Sequence, residues 1–124
     1  MKHTKKILVV DDNETVLESL RILLDDEGFE VNVQDRIRGL EQKEGFISSH
    51  DLILLDVSFP DGDGRNFCRK IKSNDLLKDL PVVMMSANRE LKNSALDSGA
   101  VRFIPKPFDF DQVVGEIRRL ICCA

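Results

Sequence analysis

The chain has 124 residues, of which 42% are apolar and 32% are charged, and its net charge is -4 at pH 7. This length fits one domain, so we expect residues 1–124 to form a single unit, and the composition favours neither a disordered nor a fibrous protein. The negative charge and the scattered Lys and Arg residues argue against direct binding of nucleic acid. The sequence has neither a long apolar run for membrane insertion nor a signal-peptide pattern, so we expect a cytoplasmic protein.

The three cysteines are an odd number with an unusual spacing, because Cys122 and Cys123 are adjacent and Cys68 lies far from them. This spacing suits neither a disulfide framework nor a zinc site. We expect Cys68 to be a small residue packed on a helix.

The chain begins with the pattern of a central strand followed by a helix. Residues 7–11, ILVVD, form a continuous apolar run that ends in an acid. Apolar side chains then recur at every third or fourth residue from 13 to 27, which predicts a helix, and Gly28 is a suitable stop. The alternating FEVNV of residues 29–33 predicts a second strand.

The middle of the chain predicts a weak helix, a buried strand and a third helix. The weak helix is marked by Ile37, Leu40 and Phe46, and glycines interrupt it. The strand is DLILLD, residues 51–56, and the third helix covers 65–73, with Asp63 or Gly64 near its start.

The last part of the chain repeats the alternation of strands and helices. LPVVMMS, residues 80–86, predicts a buried strand with its proline at the start, and a polar helix is predicted at 88–98. VRFIP, residues 101–105, predicts the fifth strand, and Asp109 can cap the last helix. Apolar strands that alternate with helices indicate an α/β fold with a parallel sheet covered on both faces.

In open parallel sheets, ligands bind at the carboxyl ends of the strands, and five polar residues follow the predicted strands there. They are Asp11, Asp12, Asp56, Ser86 and Lys106. Taken singly, each has an ordinary role: Asp12 in a helix N-cap, Asp56 in a turn, Ser86 as a helix cap and Lys106 as an exposed charge. Together they indicate a divalent cation, because clustered carboxylates repel one another and oxygen-only ligands suit Mg²⁺.

Magnesium commonly binds phosphate oxygens beside one or two carboxylates, which makes a phosphoryl group the expected ligand. Asp56 can act as a carboxylate nucleophile that forms an aspartyl phosphate. Mg²⁺ and Lys106 would neutralise charge on the transferred group, and the hydroxyl of Ser86 would hold another of its oxygens.

The ordered set of motifs resembles the response-regulator receiver domain of two-component signalling, over essentially the whole chain. The matching motifs are DD at 11–12, LLD at 54–56, D…P…G-x-G across 56–64, SAN at 86–88 and GAVRFIPKPF at 99–108. The resemblance implies a flavodoxin-like, CheY-like fold: a doubly wound five-stranded parallel sheet of strand order 2-1-3-4-5 with five helices.

The resemblance also implies a role for each site residue. Asp56 would be the phosphoacceptor, and the metal, Mg²⁺ or Mn²⁺, would be held by Asp56, Asp12, the backbone carbonyl of Ser58 and, through water, Asp11. Lys106 would bind phosphate, with a cis peptide bond between it and Pro107. Ser86 and Phe103 would form the switch, and Asn88 would tune dephosphorylation.

The implied function is a phosphorylation-dependent signalling switch that catalyses its own phosphorylation and slow hydrolysis and is not a conventional enzyme. The phosphoryl donor would be a histidine kinase or a histidine phosphotransfer protein, and the face formed by the fourth helix, fifth strand and fifth helix would control another protein. Val16 or Leu17, whichever the core leaves exposed, is a candidate contact for the donor.

Three other interpretations remain open at this point. The chain could be an interaction module of the same fold that is never phosphorylated, although nothing would then require all five polar residues. It could be a receiver fragment of a larger regulator or hybrid kinase. It could be a true enzyme or a flavin carrier on a flavodoxin-like sheet, but the acidic DDNET after the first strand suits the phosphate loop of a flavin carrier poorly.

Overall fold

A five-stranded parallel sheet forms the centre of the protein in the computed structural model, which describes residues 4–121. Cys122 and Cys123 lie outside the described residues. The strands are β1 Lys6–Val10, β2 Glu30–Gln34, β3 Leu52–Asp56, β4 Ser58–Phe59, β5 Gly62–Asp63, β6 Val82–Ser86 and β7 Arg102–Pro105. The helices are α1 Glu14–Asp26, α2 Glu44–Ser48, α3 Gly64–Lys72, α4 Lys92–Asp97 and α5 Phe110–Ile121.

The order of the large sheet is β2-β1-β3-β6-β7, and every neighbouring pair is parallel. Because β4 and β5 form a separate antiparallel hairpin, this order is equivalent to the predicted 2-1-3-4-5. The α/β fold class and the five helices are therefore confirmed. None of the helices within residues 4–121 is both long and apolar enough to cross a membrane.

The central strands are apolar throughout because both faces of the sheet are covered. Along β3, the side chains of Ile53 and Leu55 enter the core on the α2–α3–α4 side, while Leu52 and Leu54 enter the core on the α1–α5 side. This alternation is the ordinary two-residue period of a strand. Cys68 is fully buried in the first of these cores, as its spacing on α3 predicted.

Side-chain caps fix the starts of two helices. The side chain of Asn13 accepts a hydrogen bond from the backbone N–H of Val16 and begins α1, and Asp63 accepts one from Arg65 and begins α3. Gly28 follows α1 with a φ of 96°, a conformation that other residues rarely adopt. The predicted boundaries of both helices agree with the structure to within about two residues.

The structure differs from the prediction in three segments. The second helix is only Glu44–Ser48, because Gly39 has a φ of 86° and a short 3₁₀ turn precedes the helix. The fourth helix is Lys92–Asp97, preceded by a 3₁₀ turn that Asn88 caps. The segment after Asp56, predicted as a loop, contains the β4–β5 hairpin.

Candidate functional site

The strand ends bring the predicted polar residues to one edge of the sheet. Asp11 follows β1, Asp56 ends β3, Ser86 ends β6 and Lys106 follows β7. Backbone hydrogen bonds continue the ladders past the strands: the N–H of Asp11 donates to Gln34 at 3.1 Å, and the N–H of Lys106 donates to Ser86 at 2.9 Å. The backbone therefore holds these residues in place independently of their side chains.

Three carboxylates meet at this edge. Asp11, Asp12 and Asp56 each offer an oxygen, and these oxygens all lie within 4.8 Å of one another. Asp11 is completely buried, Asp56 is 8% exposed and Asp12 is exposed to solvent. We call these three residues the acidic triad; their oxygen ligands and their one open side suit a hard divalent cation such as Mg²⁺.

Lys106 is the cation that balances the buried part of the triad. Its Nζ lies 2.6 Å from Oδ2 of Asp11 and 3.2 Å from Oδ1 of Asp56, so one ammonium contacts both buried carboxylates. The peptide bond between Lys106 and Pro107 is cis.

The electrostatics of Asp56 show that this balance is incomplete. Burial, followed by the nearby charge of Asp11, raises the pKa of the Asp56 carboxyl, and the ammonium of Lys106 offsets only part of the rise. Burial lowers the pKa of Lys106, but its hydrogen bonds and ion pairs with Asp11 and Asp56 together outweigh burial and raise the pKa overall. Additional positive charge at the triad would therefore stabilise the ionised form of Asp56.

Ser86 and Asn88 form a turn at the end of β6. The hydroxyl oxygen of Ser86 is buried and accepts a hydrogen bond from the N–H of Asn88 at 3.0 Å. The side chain of Asn88 is exposed and accepts from the N–H of Glu90, so Asn88, and not Ser86, caps the following turn. Ser86 is thus placed at the site by a local turn.

The hairpin that follows Asp56 packs closely against it. Ser58 pairs with Asp63 across the hairpin, and the N–H of Gly64 donates to the carbonyl of Val57 at 2.7 Å. A Cβ atom at Gly64 would lie 2.1 Å from the backbone oxygen of Asp56, which no real Cβ atom can do. Glycine at this position is therefore required for the backbone of Asp56 to lie where it does.

The comparisons with known proteins identify the family. The sequence model described as "Response regulator receiver domain" matches residues 7–118. The response regulator ArlR of Staphylococcus saprophyticus is 32% identical over 119 residues, which cover 94% of this chain and 52% of that protein. The chain belongs to the response-regulator receiver family.

Solved receiver structures have the same fold. The chemotaxis protein CheY4 of Vibrio cholerae superposes with a TM-score of 0.85 at 25% identity, covering 96% of this chain and 100% of that chain. The signal receiver domain of a signal transduction histidine kinase from Syntrophus aciditrophicus has a TM-score of 0.81 at 28% identity, with coverages of 96% and 91%. The chain spans about half the length of the curated relatives it matches, at 52% and 50% for two of them.

The family match favours the receiver interpretation over a flavin carrier, and the geometry suits it. The acidic triad provides a donor set of the kind that a receiver uses for Mg²⁺.

Phe103 lies on β7 opposite Met84, is half-buried and packs against the core on the α4 side. Two residues at the start of α1 differ in exposure: Leu17 is buried, whereas Val16 is only partly buried.

The sequence motifs did not point to Arg65, although the structure places it beside this site. Its guanidinium contacts the carboxylate of Asp63 in the hairpin and the hydroxyl of Ser94 in α4. The fragment GDGRNF carries no recognised signal for such a contact, because Ser94 is twenty-nine residues away in sequence and becomes a neighbour only through the fold.

Proposed function

We propose that this receiver domain is a phosphorylation-dependent switch in which Asp56 accepts a phosphoryl group from a phosphohistidine of a histidine kinase or histidine phosphotransfer protein. The observation that carries the proposal is the arrangement of charge at the strand ends: three carboxylates share one site, and among the described residues the ammonium of Lys106 alone contacts the two buried ones. Such a site is short of positive charge, and a bound divalent cation would supply it.

The proposed reaction forms one bond and breaks another. A carboxylate oxygen of Asp56 attacks phosphorus, the bond between phosphorus and the histidine nitrogen breaks, and the imidazole leaves with the electron pair. Lys106 lies 3.2 Å from Asp56 and would neutralise charge on the phosphoryl oxygens. Mg²⁺, or Mn²⁺, held by Asp12, Asp56, the carbonyl of Ser58 and a water on Asp11, would supply further charge neutralisation when bound.

The switch would act through Ser86 and Phe103. A phosphoryl group on Asp56 adds negative charge and strong acceptor oxygens, which the Ser86 hydroxyl can approach once it leaves the N–H of Asn88. Phe103 would then move inward and alter the face formed by α4, β7 and α5. This is a population shift between two packings, with Asn88 placed to affect how water reaches the phosphoryl group during slow hydrolysis.

The partners follow from the same proposal. Of the two apolar residues at the start of α1, Leu17 is buried and Val16 is partly exposed, so Val16 is our candidate contact for the phosphoryl donor. The output partner is a protein that binds the α4–β7–α5 face. We propose that residues 1–124 act as one receiver unit, either alone or within a longer regulator or hybrid kinase, since similar receivers occur in both kinds of protein.

The deciding experiment is phosphorylation by acetyl phosphate with and without Mg²⁺, followed by intact-mass measurement. Wild-type protein should gain one phosphoryl group only with Mg²⁺, and the Asp56→Asn variant should gain none. Asp75→Asn, at an exposed surface carboxylate, is the matched control and should behave as wild type. Modification of Asp56→Asn at the wild-type rate would contradict the assignment of Asp56.

A domain that binds partners without phosphorylation is the second candidate, because a receiver fold alone does not specify the reaction. In that case neither the wild type nor either variant would gain mass, and Mg²⁺ would leave the amide NMR spectrum near Phe103 unchanged. Shifts that need Mg²⁺, a phosphoryl mimic and Asp56, and that extend to Phe103 and α5, would instead support the switch.

A further inference from the structure

Helix α4 is short and buries little of its side-chain surface. It has six residues, and among these only Ala95 is buried. Within the part of the chain that the structure describes, one side-chain hydrogen bond joins α4 to an element other than the 3₁₀ turn directly before it: Nη1 of Arg65 donates to Oγ of Ser94 at 2.9 Å. Ser94 in turn donates to the carbonyl of Leu91, at the preceding turn, at 3.0 Å.

The other end of Arg65 is fixed to the hairpin that follows Asp56. Nη2 lies 2.6 Å from Oδ2 of Asp63, and Nε lies 3.0 Å from Oδ1, so the guanidinium binds this carboxylate with two nitrogens. Asp63 pairs with Ser58 across the hairpin. A chain of contacts therefore runs from the segment after Asp56 to the first turn of α4, and we call Asp63, Arg65 and Ser94 the bridge.

We propose that the bridge restrains α4 in its unphosphorylated position and so opposes activation. The inference rests on the proposed function, because it requires that phosphorylation of Asp56 moves the segment between Ser86 and α4. The planar guanidinium must reach Asp63 and Ser94 at once, so a shift of α4 relative to the hairpin would break the bond to Ser94. This path is separate from the one through Ser86 and Phe103.

The consequence follows from linkage. An interaction made in only one of two states favours that state, and its removal favours the other by the same factor. Loss of the bond between Arg65 and Ser94 should therefore make activation easier, although neither residue touches the phosphoryl group. A merely structural role would not improve activation.

The experiment measures binding of beryllofluoride, a phosphoryl mimic, at saturating Mg²⁺ by amide NMR titration. We expect Ser94→Ala to lower the apparent Kd by about fivefold, the lower end of typical couplings between sites. Ser94→Thr keeps the hydroxyl and should restore the wild-type Kd. Asn93→Ala, an exposed neighbour in α4, makes the same change in helix propensity without removing a bridge contact, and should also leave the Kd unchanged.

A double-mutant cycle with Arg65→Gln tests whether the two residues act together. If they do, the Kd of the double variant Arg65→Gln/Ser94→Ala will equal that of Arg65→Gln alone within about twofold. Hydrogen exchange of the free proteins gives a second readout: amides of α4 should exchange faster in Ser94→Ala than in Asn93→Ala.

The outcomes separate the two proposals. If the wild-type protein binds beryllofluoride and Ser94→Ala has an unchanged or weaker affinity, the proposal about the bridge is overturned but the proposed function is not. Independent effects of Arg65→Gln and Ser94→Ala would also overturn it. A wild-type protein that shows no Asp56-dependent response to beryllofluoride would overturn the proposed function and the restraint on activation that rests on it, whatever the exchange rates show.

Discussion

The two ends of the sheet both bury polar groups, but they satisfy them in different ways. At the amino end of β3, His50 is 4% exposed, its Nδ1 lies 2.9 Å from the carbonyl oxygen of Phe46, and its Nε2 lies 2.9 Å from the side-chain nitrogen of Asn32. These partners are neutral and satisfy both ring nitrogens of one tautomer. At the carboxyl end, Asp11 and Asp56 are buried beside each other with one shared cation, Lys106.

The two ends of the sheet differ in how strongly they should attract a ligand. A neutral, fully paired network stabilises the native state and gives little reason for a ligand to bind. A buried cluster with excess negative charge is costly until a cation or a proton arrives. Changes at the two ends should therefore respond differently to Mg²⁺ and to pH.

Lys106→Met should give the largest effect, because it leaves the fully buried Asp11 without its cation. We expect the free energy of unfolding to fall by about 3 kcal/mol in EDTA, the lower end of the cost of breaking a buried ion pair. Mg²⁺ should recover part of this loss, since we expect it to bind the triad only in the folded protein. Urea unfolding with EDTA and with Mg²⁺ measures both quantities.

Lys78→Met provides the matched control, because the Lys78 side chain is 54% exposed and, within residues 4–121, pairs only with an exposed Asp75. Such pairs contribute little, so we expect a change below about 0.5 kcal/mol that does not depend on Mg²⁺. Equal losses for the two lysine variants would remove the electrostatic distinction between the site and the surface.

Gly64→Ala should destabilise the protein by about 2 kcal/mol, since the new methyl group would collide with the backbone oxygen of Asp56 and contact Met84 at 3.1 Å. Gly115→Ala in α5 is the control: a Cβ there meets no atom within 4 Å, and alanine favours a helix by about 1 kcal/mol. Thermal unfolding should shift in opposite directions for the two variants. A similar shift for both would show that the close approach at Asp56 is not rigid.

His50, at the end of the sheet remote from the acidic triad, should make the stability of the protein depend on pH. Burial lowers the pKa of His50 below its usual 6.5, so the unfolded chain takes up a proton that the folded one resists. Stability is unaffected above the unfolded pKa and falls as pH drops below it, by up to about 1.4 kcal/mol per pH unit. Urea unfolding at pH 7.5 and 5.5 measures this slope.

His50→Gln keeps one donor and one acceptor but cannot titrate in this range. We expect it to lose less stability than the wild type between the two pH values, whatever its stability at pH 7.5. A slope identical to that of the wild type would mean that the acid loss comes from other groups.

The sequence predicted the site better than it predicted its connections. Residues 7–11 and 51–56 are continuous apolar runs, and such runs are buried on both faces, so the acids that end them must lie at one edge of the sheet. Ser86 and Lys106 follow by the same rule. Gly39 and Gly45 indicated a weak second helix. They did not indicate that it would shorten to Glu44–Ser48, because tertiary packing overrides helix propensity in setting where a helix begins and ends.

Contacts between distant segments could not be predicted in this way. The bond between Arg65 and Ser94 joins residues of α3 and α4 whose relative rotation depends on the packing of both helices on the sheet. The partners of His50 likewise come from β2 and α2, and nothing in the local sequence selects them. The periodicity of the sequence predicts which face of a helix or strand a residue lies on. Which polar side-chain ends come into contact depends on how the whole core packs.

Leaving the control variants aside, Asp56→Asn should produce the smallest change in stability, and it should stabilise the protein. Burial and the charge of Asp11 raise the pKa of Asp56, so its ionised form destabilises the metal-free fold at neutral pH. Asparagine removes that charge and keeps the shape, and we expect a gain of about 1 kcal/mol, or about 4 °C in Tm, in EDTA at pH 7. The folded state binds the proton more tightly than the unfolded one, so the penalty is present above the folded pKa and disappears below the unfolded value, near 3.8. The Tm difference between variant and wild type should therefore shrink as pH falls toward 4, and Mg²⁺ should shrink it at pH 7 by stabilising the wild type more. A variant that is less stable than the wild type in EDTA would mean that Lys106 already neutralises the triad, and that the two ends of the sheet differ less than their charges indicate.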